Sequence, residues 1–138
     1  MKTLTMALDY AQARPYALAI MGAEHLRVTH GDTALLDHAI AELSEGSSLL
    51  PSDASVHSNL GMAFMLRGDQ DRAMREAQTA LQLDPARAKT RYVLGEFLRR
   101  QGHIPEALFH LRIAATEMES ARKLILLLEY TQLHAVPE

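Results

Sequence analysis

The sequence predicts an all-α fold, in which antiparallel helix hairpins stack as a short right-handed α-solenoid with a terminal capping helix. The first observation is that LGMAFMLRGDQDRA, starting at Leu60, and LGEFLRRQGHIPEA, starting at Leu94, place Leu, Gly, Gly and Ala in phase. The second is that no segment alternates apolar and polar residues with β-branched enrichment. The third is the composition, with 48% apolar but only 5% aromatic residues. An aliphatic core of this kind suits closely packed helices.

Composition excludes several classes of function. The net charge of −3 creates no global attraction for nucleic acid. The chain contains no cysteine, which excludes disulfides, thiolate metal sites and a cysteine nucleophile, and which fits a reducing compartment such as the cytoplasm. The apolar block at 124–128 is far too short to span a bilayer. We therefore expect a cytoplasmic protein that binds neither nucleic acid nor membrane, in one domain over residues 1–138.

The first elements are the least regular. Residues 1–15 predict an N-terminal helix that stops at Pro15, and residues 16–53 predict a degenerate hairpin with helices near 16–29 and 33–45. Gly31 precedes Ala39 by eight residues, whereas Gly68 precedes Ala73 by five. This surplus predicts either a longer turn or a shifted helix start. The apolar face of the N-terminal helix consists of Leu4, Ala7, Leu8 and Ala11.

Two clear hairpins follow, at 54–87 and 88–119. In the first, apolar residues recur at helical spacing up to Arg67, Gly68 makes a turn, and a second helix runs from Gln70 until Pro85 stops it. The second hairpin repeats this plan with a turn at Gly102. Gly61 and Gly95 are expected to let the two helices of each hairpin approach closely, and such a hairpin must stack on a neighbour to bury its apolar face.

These residues resemble the tetratricopeptide repeat family. Residues 88–119 keep Leu94, Gly95, Gly102 and Ala107 of its pattern, but have Glu119 where the family usually places proline. The resemblance implies a superhelix of hairpins that binds a protein or peptide in its concave groove. Residues 54–87 carry the pattern almost complete, with Asn59-Leu60-Gly61, Phe64, Gly68-Asp69, Ala73, Ala77, Ala80 and Asp84-Pro85.

Residues 120–134 are expected to form the helix that caps the last hairpin. The alternative follows from the lack of Gly and Pro between positions 106 and 136, which would let this helix fuse with the preceding one into a rod. The rod would offer a leucine-rich row to a second chain and give a homodimer or a domain swap. The residues of this row are Leu124, Ile125, Leu127 and Leu128.

No motif for catalysis is present. The sequence contains no phosphate-binding glycine loop, no HExxH and no GxSxG. The seven histidines are not spaced for metal ligation. We expect no enzyme activity, no cofactor and no metal.

The predicted function is therefore binding, as a scaffold or adaptor. Lys89, Arg99 and Arg100, with Arg87 and Arg91 nearby, make the last groove helix basic, which favours a peptide that combines apolar and acidic side chains. The alternative is that these cations only aid solubility and that the apolar residues pack on neighbouring helices. The predicted groove residues are Ser55, Ser58, Asn59, Met62, Met65, Leu66, Lys89, Tyr92, Glu96, Arg99 and Arg100.

The resemblance also raises the question of one binding subsite that is known in the family. Some family members grip the acidic C-terminal tails of heat-shock chaperones with a clamp of Lys, Asn and Arg. Asn59 and Lys89 match two places of the clamp, but Val93 stands where an arginine is needed. We therefore expect the clamp to be absent or vestigial.

Overall fold

The computed structural model describes residues 2–135, except for the side chains of Lys2, Leu4, Thr5, Ala7 and Leu8. Within these residues the chain forms seven helices and no strand, and about 82% of it is helical. The predicted all-α fold is confirmed. None of these helices combines the length and apolar character that crossing a bilayer requires. The helices are α1 (Lys2–Val28), α2 (Thr33–Leu49), α3 (Ala54–Arg67), α4 (Gln70–Leu83), α5 (Ala88–Arg100), α6 (Ile104–Ala114) and α7 (Glu119–Leu133).

The helices pair in sequence order. α1 packs on α2, α3 on α4 and α5 on α6, and neighbouring hairpins join through α2–α3 and α4–α5 contacts. The first helices also meet one another, α1 with α3 and α3 with α5, while α7 packs on α6. Two buried clusters result, one shared by α1 to α5 and one that joins α5, α6 and α7.

Small residues allow the close pairing, as the sequence predicts. A Cβ atom on Gly95 would lie 2.6 Å from Leu111 Cγ, and one on Gly61 would lie 3.3 Å from the carbonyl oxygen of Ala73. Ala73 and Ala107, on the facing helices, are fully buried. In these two hairpins, the close approach of the helices therefore depends on a glycine in the first helix, which has no side chain.

Turn chemistry sets where the helices begin and end. Gly68 has φ of 89°, a left-handed conformation that favours glycine, and it ends α3. Asp69 then accepts a hydrogen bond from Arg72 N and begins α4. Asp32 and Asp53 cap α2 and α3 in the same way.

The predicted break at Pro15 is wrong, because α1 is one helix of 27 residues with Pro15 inside it. Proline removes one backbone hydrogen bond from a helix interior, but Ala11, whose carbonyl loses its donor, is exposed, so water can replace the bond. Burial of Gly22 and Leu26 against α2 stabilises the helix beyond the proline. Of the predicted apolar face, Ala11 is exposed, and the side chains of Leu4, Ala7 and Leu8 lie outside the described residues.

The three-residue surplus in the first hairpin lies at a helix start. Gly31 and Asp32 repeat the turn of Gly68 and Asp69, and α2 begins directly afterwards at Thr33. α2 has 17 residues, whereas α4 has 14. The extra residues therefore form most of an additional helical turn.

The fused rod is also wrong. α6 ends at Ala114, and α7 begins at Glu119 after a short turn. This turn lets Ala121 and Leu128 fold back and bury against Leu108 and Leu111, which a continuous helix would leave uncovered. Leu128 follows Leu94 by the same interval that separates Leu94 from Leu60, so α7 takes the place of the first helix of a further hairpin.

Candidate binding groove

The contacting first helices α1, α3 and α5 form a groove that contains two adjoining pockets. The apolar pocket, about 250 Å³, lies between α1 and α3, and the cationic pocket, about 310 Å³, lies between α3 and α5. Ser55 and Asn59 line both, so the pockets are adjacent. The apolar pocket is also lined by Tyr16, Ala19, Ile20, Ala23, Asp53 and Val56, and the cationic pocket by Arg87, Ala88, Lys89, Glu117 and Met118.

The cationic pocket holds a partly buried lysine. Lys89 Nζ donates a hydrogen bond to Asn59 Oδ1 at 2.6 Å. Burial lowers the pKa of Lys89, and the positive charge of Arg87 lowers it further. The ion pairs within residues 2–135 include neither Lys89 nor Arg87, although Glu117 lines the same pocket. The pocket therefore keeps positive charge that is available to an anionic group.

Two of the other predicted cations pair with one acidic residue at the far end of α5. Glu96 is buried, and its carboxylate binds Arg99 at 2.8 Å and Arg100 at 3.5 Å. The hydrogen bond to Glu96 raises the pKa of Arg99. Two arginines that the sequence assigns to a ligand thus bind a neighbour on their own helix.

Two further predicted groove residues, Met62 and Tyr92, are half-buried. Met62 packs against the first core cluster and Tyr92 against the second. Desolvation raises the pKa of Tyr92, and the nearby charge of Glu96 adds to the effect. Leu66, near the end of α3, is exposed.

Comparison with protein families bears on the middle of this groove. The family model described as tetratricopeptide repeat matches residues 54–87, which comprise α3, α4 and the loop that leads to α5. These residues are therefore similar to a tetratricopeptide repeat. The matched residues are about a quarter of the chain and include Ser55, Asn59 and Arg87 of the cationic pocket. A search of curated proteins finds no match.

The central position of residues 54–87 explains two failed predictions of exposure. Their first helix, α3, contacts helices on both sides, and nine of its 14 residues are buried. Ser58 and Met65 are among them, so neither reaches the groove surface as the sequence analysis expects. Glu96, on the next first helix, is buried as well. The sequence pattern predicts one core face, whereas a helix between two hairpins buries most of its circumference.

The wall of the groove that α1 forms, N-terminal to residues 54–87, was not predicted from the sequence. Tyr16 and Ile20 line the apolar pocket, but the predicted break at Pro15 and the irregular first hairpin concealed their register. The sequence does indicate Arg87 as a cation near the groove, because it stands two residues before Lys89 at the start of α5.

The predicted oligomer contacts belong mainly to the cap that closes the array. Leu128 is buried, and Leu124 and Ile125 pack against the same core cluster. Of the four, Leu127 is exposed. The outward face of α7 instead carries Leu126, Leu127, Tyr130 and Leu133.

Three histidines act in contacts between helices. His25 Nδ1 lies 2.7 Å from Glu42 Oε2, and His57 Nδ1 lies 2.7 Å from Glu76 Oε2, each across one hairpin. In the third hairpin, Arg91 donates to His110 Nδ1 at 3.1 Å. Within residues 2–135 there is no group of three histidine or acidic side chains that could hold a metal ion.

Proposed function

We propose that this chain is a non-catalytic scaffold or adaptor that binds a peptide or protein segment in the groove of α1, α3 and α5. The similarity to a tetratricopeptide repeat supports the general class, since such a repeat is generally a non-catalytic module for protein–protein interaction. The observation that carries the proposal is the cationic pocket, in which Lys89 and Arg87 lie side by side in no ion pair of the described residues. A cytoplasmic location belongs to the same proposal, because the sequence contains no cysteine.

The pockets define the chemistry of the partner. Burial disfavours the charged form of Lys89, and a carboxylate placed beside it would favour that form again through a charge-assisted hydrogen bond. The adjoining apolar pocket, between Tyr16 and Ile20, would accept a large apolar side chain. The partner segment therefore carries an acidic group and an apolar anchor a few residues apart.

The test is selection of binders from a random-peptide display library on the full chain, followed by affinity measurement with the selected peptides. Lys89→Glu should weaken binding at least about tenfold, because it replaces attraction by repulsion. Ile20→Asp should weaken binding of the same peptides by a similar factor, because it places a charge in the apolar pocket.

The matched control is Lys123→Glu, which makes the same charge change on α7, where Lys123 is exposed and pairs with Glu119. This variant should bind the selected peptides as the unaltered chain does. Circular dichroism of each variant checks that the fold persists. The proposal is refuted if the library yields no binder, or if the selected peptides bind Lys89→Glu and Ile20→Asp with unchanged affinity.

The alternative function, self-association through the leucine-rich row of α7, has less support. Leu128 is buried in its own chain, and Leu124 and Ile125 are half-buried there. These three side chains already contribute to the second core cluster.

A further inference from the structure

Helix α1 extends well beyond the helix that it packs against. Ala19 lies opposite Gly46, and Gly22 lies opposite Leu43, so the pair is antiparallel and α2 ends near Tyr16. The N-terminal half of α1 therefore projects past the hairpin. Every side chain that the structure describes between positions 3 and 13 is exposed.

The projecting part carries an apolar row, which we call the α1 seam. Its members are spaced by four, three and four residues, the heptad spacing of a helix that packs against another helix. All of them are exposed, and the large ones are 69 to 71% exposed. A helical segment of this length is only marginally stable in water without a partner. The α1 seam consists of Met6, Tyr10, Ala13 and Ala17.

The charge of this surface suits a second copy of the chain. A two-fold contact places one surface against itself, so a surface with charges of one sign would repel its copy. Between positions 3 and 23 the only charged residues are Asp9 and Arg14, neither of which is on the seam. Arg14 is also paired with Glu45 of α2.

The sizes of the seam residues are self-complementary as well. In an antiparallel pair with Tyr10 opposite Ala13 of the partner subunit, Met6 lies opposite Ala17 of the partner subunit. Each large side chain then faces a small one, which allows two helices to pack without voids. The two-fold axis generates the same contacts a second time.

We propose that the chain forms a two-fold dimer through antiparallel pairing of two α1 helices along the α1 seam. The contact extends over residues 6–17, roughly 18 Å of helix. It covers the part of α1 that α2 leaves unpaired, and it brings two copies of the binding groove into one particle.

The test is the mass of the full chain by light scattering over a range of concentrations. The unaltered chain should have twice the monomer mass, and Met6→Asp with Tyr10→Asp should reduce it to the monomer mass, because four carboxylates then meet in the contact. Both residues lie beyond the end of α2, so the thermal transition of the remaining fold should persist. The matched control is Leu126→Asp with Tyr130→Asp, which makes the same two types of change on the outward face of α7 and should leave the dimer intact.

Three results would overturn the proposal. They are a monomeric unaltered chain at every concentration, a dimer that survives the seam substitutions, and a dimer that the α7 substitutions abolish, which would make α7 the interface.

The register has its own test, since the chain has no cysteine to interfere. Chains with Met6→Cys and chains with Ala17→Cys should form a disulfide with each other when mixed and oxidised. Met6→Cys chains alone should not, because the two Met6 positions lie at opposite ends of an antiparallel pair. Efficient cross-linking of Met6→Cys alone would show a parallel contact and refute the register.

Discussion

The second and third hairpins, α3–α4 and α5–α6, share a backbone plan but join their helices with different side chains. In the second hairpin His57 Nε2 donates to the carbonyl oxygen of Pro51 at 2.8 Å, and the other ring nitrogen meets Glu76. At the equivalent positions of the third hairpin, Arg91 donates to the carbonyl oxygen of Pro85 and to His110. His57 and Arg91 occupy equivalent positions, and each makes one contact with a backbone carbonyl and one with the facing helix.

The contacts of the glycine in the first helix also differ between the two hairpins. Gly61 lies against the backbone of Ala73 and Ala77, whereas Gly95 lies against the side chain of Leu111, which replaces Ala77 in the third hairpin. A Cβ atom on either glycine would also lie 3.3 Å from the carbonyl oxygen of a facing alanine, Ala73 or Ala107, so only the contact with Ala77 or Leu111 differs. The comparison shows that close approach of the two helices is the shared requirement, and that the side chains around it are exchangeable.

The largest expected effect comes from removing the polar bridge of the second hairpin. His57→Ala should lower the free energy of unfolding by about 3 kcal/mol, because a buried side chain and two hydrogen bonds are lost together. Arg91→Ala should lower it by about 1 kcal/mol, because Pro85 is exposed and water can replace the bond. Urea unfolding measures both values, and equal losses would contradict the difference between the hairpins.

Glycine substitution should also separate the two hairpins. Gly95→Ala should be about 1–3 kcal/mol more destabilising than Gly61→Ala, because its new methyl group overlaps Leu111. Both changes add the same helix propensity, so each is the control for the other. Adding Leu111→Ala should reduce the sensitivity at position 95, and a double-mutant cycle without coupling would rule out this contact as the cause.

A smaller effect is expected at the start of the second helices. Asp69 caps α4, whereas His103, at the equivalent position of the third hairpin, makes no side-chain capping bond to α6. His103→Asp should therefore raise the free energy of unfolding by about 1 kcal/mol. Asp69→Ala should lower it by a similar amount. A stability unchanged by both substitutions in urea titrations would show that capping does not distinguish the two hairpins.

The smallest expected effect is a pH dependence of the unfolding free energy that arises from His110 in the third hairpin. Burial lowers the pKa of His110, and the charge of Arg91 lowers it further, so the folded chain binds this proton less readily than the unfolded chain. The stabilisation is complete above the unfolded pKa of about 6.5 and is lost as pH falls from there through the folded pKa. His110→Gln keeps an acceptor for Arg91 but cannot titrate, and its unfolding free energy should fall less between about pH 7.5 and 5 than that of the unaltered chain. An identical fall in both proteins would exclude His110 as the source.

Local signals in the sequence predicted the regular part of this fold. The turn at Gly68, the stop at Pro85 and the small residues at Gly61 and Gly95 each act within one hairpin, and the structure confirms all four. Of the candidate groove residues, Ser55, Asn59 and Lys89 line the pockets. Ser58, Met65 and Glu96 do not, because their burial depends on neighbours that are distant in sequence.

The amino-acid sequence by itself determined the helices, the hairpins and the interval at which they stack, because capping, turn geometry and helical periodicity act over a few residues. Tertiary structure alone decided that α1 continues through Pro15, since the packing of Gly22 and Leu26 on α2 stabilises the helix beyond it. It also decided which cations stay available to a ligand. Glu96 forms ion pairs with Arg99 and Arg100, whereas Lys89 and Arg87 share a pocket between α3 and α5. Such pairing is set by the distances between charges in the folded chain.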